Sequence, residues 1–574
     1  MRKAAFLAVA AAAAFPSSAS GVELAPGVVY KREVRSIGGL RVVVHVLKAP
    51  KPGGLYDLKP VLSNGLVTGR ETVSSMERRL SSRATLGGVN GDLFNWGSGR
   101  PSGIFLRKNL LSTRASYDRS SLGIGVDGLL RTGFIRYTGT WQFGSNKERI
   151  LREFNHPLEQ DSGVVLYSPT WGPRTPRVRG AREVVLSHVA SVGPNKDLVG
   201  RVVLRSWSTR HPIPAGGAVL QASGDRRKVL LEEAKLGHWV KLHVSLTPWW
   251  SDVKDAIGGG PRIVTGGVPV YQAGEAFLSS QLLPRNPRTA VGQLANGRVL
   301  MVAVDGRTSW SAGVTNSQLA RLMADLGAQT AMAFDAGGST TMAFNGKLLN
   351  RPSDPGGERS VAETLAILYT GVYAPPPALT VVSPNGDGIA ERQQLSFKLV
   401  RPSTVTTSLI GPGGASELAQ TDERAAGVYK VTWPTPTSRR RQTEPLGRWR
   451  WVVTAVDDLG RKSSVERSFW LNDTLGYMRV APKAAKLRLR GRNVIAARFR
   501  LAYKARVIPT IWTSSGVLVR RLPAMSLGPG TRTIGWNGRF ANGRLVYRGR
   551  YVFKVYAQNA YGPVDLVQPF SVRR

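Results

Sequence analysis

The 574-residue sequence contains no cysteine. That excludes disulfide scaffolds, thiolate zinc sites, iron–sulfur ligation, cysteine nucleophiles and a lipidated N-terminal cysteine. Acidic residues are scarce. Only 37 Asp and Glu stand against 79 Lys and Arg, a formal net charge of +42. Such an excess draws a protein to polyanions such as nucleic acid, anionic lipid or phosphate-rich wall polymers. A general preference for Arg would also raise the charge, with no ligand involved. Histidine is rare too, with His45, His156, His188, His211, His238 and His243. Only His238 and His243 lie near one another, and their spacing suits neither a helix face nor one strand face, so all six read as structural. Beyond residue 15 no apolar run reaches the roughly 20 residues of a membrane-spanning helix. Gly-x-Ser-x-Gly, His-Glu-x-x-His and Walker-A patterns are absent.

What is present starts with length, enough for three or four domains of roughly 100–200 residues. The 64 glycines and 35 prolines favour many short strands over long helices. At the N-terminus, Arg2 and Lys3 precede the apolar run Ala4 to Phe15. Pro16 breaks the run, and Ser18-Ala19-Ser20 offers small residues for cleavage. Residues 1–20 are therefore expected to be a secretory signal. The C-terminus, Phe570 to Arg574, has no hydrophobic tail. The mature protein is expected to be secreted or held noncovalently at the cell surface.

Pro375-Pro376-Pro377 marks a linker at 373–378. Beyond it, Gly447-Arg448-Trp449-Arg450-Trp451 and Gly549-Arg550-Tyr551-Val552-Phe553 open similar alternating segments about 100 residues apart. That period is the size of a β-sandwich domain. Two modules, 379–471 and 472–574, are expected. The first opens with Ser383-Pro384-Asn385-Gly386-Asp387-Gly388. The second carries Trp536-Asn537-Gly538-Arg539 and Asn542-Gly543. Both resemble the Ig-like domains at the C-termini of secreted bacterial proteins, including the type in the flagellar hook-capping protein. Asn385 and Asp387 suit either a tight turn or a calcium site. Residues 472–574 hold 20 Lys and Arg against Asp473 and Asp565, a net +18. In Arg488/Arg490 and Arg498/Arg500, the two-residue spacing would put each pair on one strand face. This module is expected to bind an anionic cell-surface polymer.

Residues 21–372 mix strand and helix patterns. Arg41 to Lys48 alternates as a strand, and Val73, Met76 and Leu80 have helical spacing. Val299 to Val304 is a continuous apolar run, so a buried strand. Thr315 and Gln318 form a capping-box pattern before Leu319, Leu322, Met323 and Leu326 on one helical face. Thr330 to Phe334 is the next buried strand. The fold class expected is an α+β or mixed α/β catalytic domain at 21–372, followed by two all-β Ig-like sandwiches. If the two strands are parallel, their carboxyl ends share one sheet edge, where ligands of open α/β sheets gather. Asp305-Gly306-Arg307 and Asp335-Ala336-Gly337-Gly338-Ser339-Thr340 stand at those ends. Two carboxylates, a guanidinium, two hydroxyls and close-approach glycines suit an anionic or polyhydroxylated ligand.

Further motifs follow the same theme: Asn90-Gly91-Asp92-Leu93-Phe94, Gly258-Gly259-Gly260-Pro261, Asn286-Pro287-Arg288-Thr289-Ala290, Asn350-Arg351-Pro352-Ser353 and Glu358-Arg359. In order and spacing, the set resembles the phosphodiester glycosidase family over about 86–370. The resemblance implies hydrolysis of the glycosidic bond in sugar-1-phosphodiesters, such as those of N-acetylglucosamine, within a sugar-phosphate or polyanionic glycan. One departure is Ala336, where the family usually has glycine, and it leaves open the alternative of a noncatalytic protein that binds anionic cell-wall polymer or nucleic acid and whose catalytic domain is retired. A phosphate monoester, with a second pKa of about 6, leaves without a strong general acid. Its developing charge wants bidentate donors, and Arg288, Arg307 and Arg359 suit that task. Asp335 is the first choice for nucleophile or general base, Asp305 the second, with Asp92 and Glu358 as weaker candidates. Asn90, Thr289, Gly337, Gly338, Ser339, Thr340 and Asn350 complete the expected substrate contacts. No cofactor is required on this reading, although Asp92, Asp305 and Asp335 are also donors of the kind that hold Ca2+ or Mg2+.

Overall fold

The computed structural model describes residues 21–573, except 117, 159–160, 249, 272–273, 434–443 and 490–492. The expected signal segment at 1–20 and Arg490 lie outside the described residues. The chain forms two compact units, Met1–Thr370 and Gly371–Arg574.

The first unit corrects the expected fold class. Across both units, the described residues form forty-two strands and only four α-helices, Val73–Arg79, Arg226–Glu233, Ser279–Leu282 and Asn316–Asp325. The domain is therefore mostly β rather than α+β or α/β. The strand–helix–strand stretch is real, but its strands are not neighbours. Arg288–Leu294 runs between Val299–Val304 and Ala328–Ala333, antiparallel to both. The outer two consequently point the same way, and their carboxyl ends do share one edge.

This sheet has eight strands. Val22–Ala25, Val28–Ile37 and Leu40–Ala49 extend it on one side, and Arg262–Thr265 and Val268–Pro269 on the other. Helix Asn316–Asp325 covers one face. Its Leu319, Leu322 and Met323 pack with Val42, Val44, Val302 and Ala331. The Thr315 hydroxyl accepts from Gln318 N–H, and the Gln318 side chain accepts from Thr315 N–H, which fixes where the helix starts. Beside it lies a five-stranded sheet ordered Lys347–Leu348, Met342–Phe344, Thr85–Asn90, Glu363–Tyr369, Tyr56–Leu62. A Cβ on Gly87 would stand 2.9 Å from Phe344 and 3.5 Å from Leu47, so the missing side chain lets the two sheets approach. A second five-stranded sheet contains Val253–Gly258. A further eight-stranded sheet, spanning 136–247, packs on a core around Trp141, Phe143 and Phe154 that it shares with Leu106, Leu111 and Ala256 of that five-stranded sheet.

In the second unit two β modules, antiparallel except for one short parallel pair in each, have separate cores. The first centres on Trp449, Trp451 and Phe469, the second on Phe499, Trp536 and Phe553. The repeated segments occupy equivalent central strands. Gly447–Asp457 pairs with Lys462–Leu471 and Ser403–Ile410, while Gly549–Asn559 pairs with Gly562–Arg573 and Ala505–Thr513. The Asp387 carboxylate accepts from Ile389 and Tyr477 N–H, and Asn385 Oδ1 accepts from Asp387 N–H. The Asn-Gly-Asp-Gly loop is thus a turn that staples one module to the next. Arg498 and Arg500 are exposed on one face of Ile495–Leu501, with Arg479 directly across from Arg498. Arg488 lies in a loop, so the expected stripe covers only part of its predicted length.

Candidate active site

The edge where Val299–Val304 and Ala328–Ala333 end meets the end of Thr85–Asn90. Asp335 N–H donates to Gly91 O at 3.0 Å, and Asn90 Nδ2 donates to Asp335 O at 2.8 Å. Asn90 is fully buried, and its Oδ1 accepts from Thr289 Oγ1 at 2.7 Å and Thr341 N–H at 3.1 Å. Asn90 and Thr289 therefore tie three strands together rather than face open space.

Asp335 is half-buried on the wall of a cleft of about 200 Å3. Its Oδ1 accepts from Ala336 N–H at 2.9 Å and its Oδ2 from the Ser339 hydroxyl at 2.5 Å. Burial pushes the carboxyl up to about 6. The nearby Asp92 charge adds to the rise, while the Ser339 and Ala336 hydrogen bonds and Arg359 oppose it. Ala336 has φ −111°, an extended backbone open to any residue, so its methyl strains nothing. It too lines the cleft. Gly337 does need its freedom. Its φ is +69°, and a Cβ there would stand 3.1 Å from the Arg307 guanidinium.

The other expected residues divide between cleft and scaffold. Arg288 and Arg307 line the cleft with Asp335. Arg288 donates to the carbonyls of Val314, Leu282 and Pro284, and burial followed by the Arg307 charge lowers its pKa to about 10. Arg307 Nε donates to Asn286 Oδ1 at 2.9 Å. Among the described residues, neither guanidinium is ion-paired. Arg359 instead grips Asp354 through two bonds of 2.8 and 3.0 Å and reaches Ser339 Oγ at 3.3 Å. Gly338 packs directly against that pair, where a side chain has no room.

Asp92 is buried and accepts from Leu93 N–H, Gly103 N–H and Arg119. Asp305 is buried away from the cleft wall. It accepts from Arg351 N–H at 3.1 Å and meets His45 Nε2 at 3.1 Å, while His45 Nδ1 meets the Tyr30 hydroxyl at 2.8 Å. Glu358 accepts from Ser74 N–H and Oγ at the start of helix Val73–Arg79. Asn350 bridges Met342 N–H and Thr340 O. Thr340 follows the short turn Gly337–Ser339 and is fully buried. No group of three or more metal-type side chains occurs among the described residues. Asp92, Asp305 and Asp335 are therefore not gathered round one cation position.

Three features escaped the sequence reading. Glu363 is buried beside Asp92, and burial together with that charge raises its carboxyl well above the usual range. Exposed Trp96 stacks between Arg70 and Arg359, at 5.3 and 5.0 Å. Asn316, the first residue of its helix, lines the cleft with neither side-chain oxygen nor nitrogen paired. Only the helix start signalled it in sequence.

Residues 190–368 match the family model described as phosphodiester glycosidase. They form a domain of that family. The match starts within the eight-stranded sheet spanning 136–247, and the fold adds the Asn90-Gly91-Asp92 segment from outside it. The SPbeta prophage-derived uncharacterized protein YomE of Bacillus subtilis is 40% identical over 85 residues, 15% of this chain and 13% of that protein. A hypothetical protein from Synechocystis shares the fold at 21% identity and TM-score 0.52, over 60% of this chain and 62% of that one. This chain thus spans well under two thirds of the first relative and just under two thirds of the second. The zebrafish N-acetylglucosamine-1-phosphodiester alpha-N-acetylglucosaminidase catalytic domain, auto-inhibited by its pro-peptide, is 15% identical with TM-score 0.34, over 61% of this chain and 85% of that one.

Proposed function

We propose that the protein hydrolyses the glycosidic bond of sugar-1-phosphodiesters, with Asp335 as the reacting carboxylate. One observation carries this reading. The cleft wall holds one carboxylate, Asp335, and two guanidiniums, Arg288 and Arg307. Hydrolysis of an ordinary glycoside generally takes two carboxyl groups, one of which protonates the leaving oxygen. A phosphate monoester departs without that proton, and guanidinium forks meet the charge it develops. Asp335, titrating near 6, is ionised at neutral pH and serves as nucleophile or base. Ser339 and Arg359 hold it in place from behind. Turnover of a chromogenic sugar-1-phosphodiester by the purified protein tests the reading, and no turnover above the buffer rate would contradict it.

Two further elements complete the proposal. The basic, apolar and small-residue succession over 1–20 supports export. The exposed Arg479, Arg498 and Arg500 face supports docking on a phosphate-rich polymer at the cell surface, mainly by charge. On this reading the last module brings the catalytic domain to wall-attached or extracellular glycan.

A further inference from the structure

Helix Asn316–Asp325 begins at the cleft wall. The N–H groups of its first turn have no acceptor within the helix, apart from Gln318 N–H, which bonds to Thr315. A helix start of this kind favours negative charge. Asn316 is 1% exposed, and both polar atoms of its carboxamide lack a partner. An unpaired buried amide is costly to keep unless something else completes it. Arg288 and Arg307 share the same wall. Arg288 spends its Nε and Nη2 on backbone carbonyls, and none of those bonds uses Nη1. Cations, an amide donor and a helix start therefore converge, with Asp335 as the one opposing charge. Arg359 and Asp354, behind Gly338, satisfy each other and are not part of this wall.

We infer that Asn316 and the helix start at which it stands form, with Arg288 and Arg307, an anion subsite that holds the phosphate of the substrate and then of the released monoester. The inference rests on the proposed glycosidase reading and adds a specificity-determining residue to it. Asn316 supplies an amide N–H to a phosphate oxygen, and the helix N–H groups supply more. The substrate is then selected by its phosphate as well as by its sugar. Phosphate monoesters must compete with substrate, so the enzyme is product-inhibited.

The test uses inorganic phosphate as the probe. It is titrated calorimetrically into the full-length protein, into Asn316→Ala and into Asn316→Asp, and its inhibition of sugar-1-phosphodiester turnover is measured in parallel. The expected result is competitive inhibition of the wild type. Phosphate affinity should drop about tenfold in Asn316→Ala and further in Asn316→Asp, where a carboxylate opposes the anion. Arg307→Gln provides a second variant on an exposed side chain, should either helix-start variant fail to fold, and should weaken phosphate likewise. Equal phosphate affinity in wild type and folded variants would overturn the subsite. So would the absence of phosphate binding to the wild type. Binding that is lost in the variants, in a protein with no turnover, would keep the subsite and remove the glycosidase reading. Turnover unaffected by phosphate would do the reverse.

Discussion

Asp335→Asn separates chemistry from stability. Burial, with the Asp92 charge behind it, pushes the Asp335 carboxyl up to about 6, while an unfolded chain holds aspartate near ~3.9. The folded protein therefore binds this proton more tightly than the unfolded chain does. Stability contributed by the group is greatest below about pH 4, and it declines as the pH rises through about 6. Above that, the ionised carboxylate is a standing cost. A shift of about two units, at about 1.36 kcal/mol each, sets that cost at no more than about 3 kcal/mol. The amide of asparagine has the same shape and no charge. Its oxygen can still accept from Ala336 N–H, and its NH2 can donate to Ser339 Oγ if that hydroxyl rotates. Thermal unfolding of the full-length protein at pH 4, 6 and 8 reads the difference. The variant should match wild type at pH 4 and exceed it by up to about 3 kcal/mol at pH 8, while hydrolysis drops by about 10²–10⁴-fold. A variant less stable than wild type at pH 8, or a difference that ignores pH, would refute the electrostatic reasoning.

Four further outcomes are expected. The wild-type kcat/KM should lose about tenfold per pH unit below about 6, as Asp335 takes up its proton; a profile flat through that range contradicts the role. Arg307→Lys keeps the charge but loses the fork, so it should slow phosphodiester turnover about tenfold more than turnover of a simple aryl glycoside, and equal losses would detach Arg307 from phosphate. His45→Ala leaves Asp305 buried without its imidazole and should destabilise the protein by about 3–5 kcal/mol in chemical denaturation; a loss below about 1 kcal/mol would mean the pair carries little. Arg498→Glu with Arg500→Glu in the full-length chain should elute from an anionic polymer column at lower salt than wild type, and unchanged elution would return the charge to general Arg preference.

The two strand ends at Asp305-Gly306 and Asp335-Ala336 and the glycine turn were legible because a continuous apolar run followed by a polar cluster marks where a buried strand stops. Strand direction was not legible. Val299–Val304 is buried on both faces, and such a run reads the same whether its neighbour is parallel or antiparallel. The inserted strand Arg288–Leu294 carries Arg288, Thr289 and Gln293, so no continuous apolar run marks it, and without it the unit reads as α/β. Glu358 shows a second limit. Its motif neighbour Arg359 reaches Ser339, yet its own carboxylate turns to Ser74, 284 residues away in sequence. Asp92 and Asp305 stood in the right motifs too, but Arg119 and His45, which hold them in the scaffold, carry no local signal. Asn316 sat unremarked as an ordinary helix-start residue, because an unpaired amide is a property of its surroundings and not of its sequence.

The central claim is cleavage of the sugar–oxygen bond with phosphate as the leaving group, and the position of the new oxygen tests it most directly. Hydrolysis of a sugar-1-phosphodiester in oxygen-18 water should place the label on the anomeric carbon of the free sugar, leaving the phosphate monoester unlabelled. Label in the phosphate would mean that water attacked phosphorus, and the assignment of Asp335 as a glycosidic carboxylate would then be wrong.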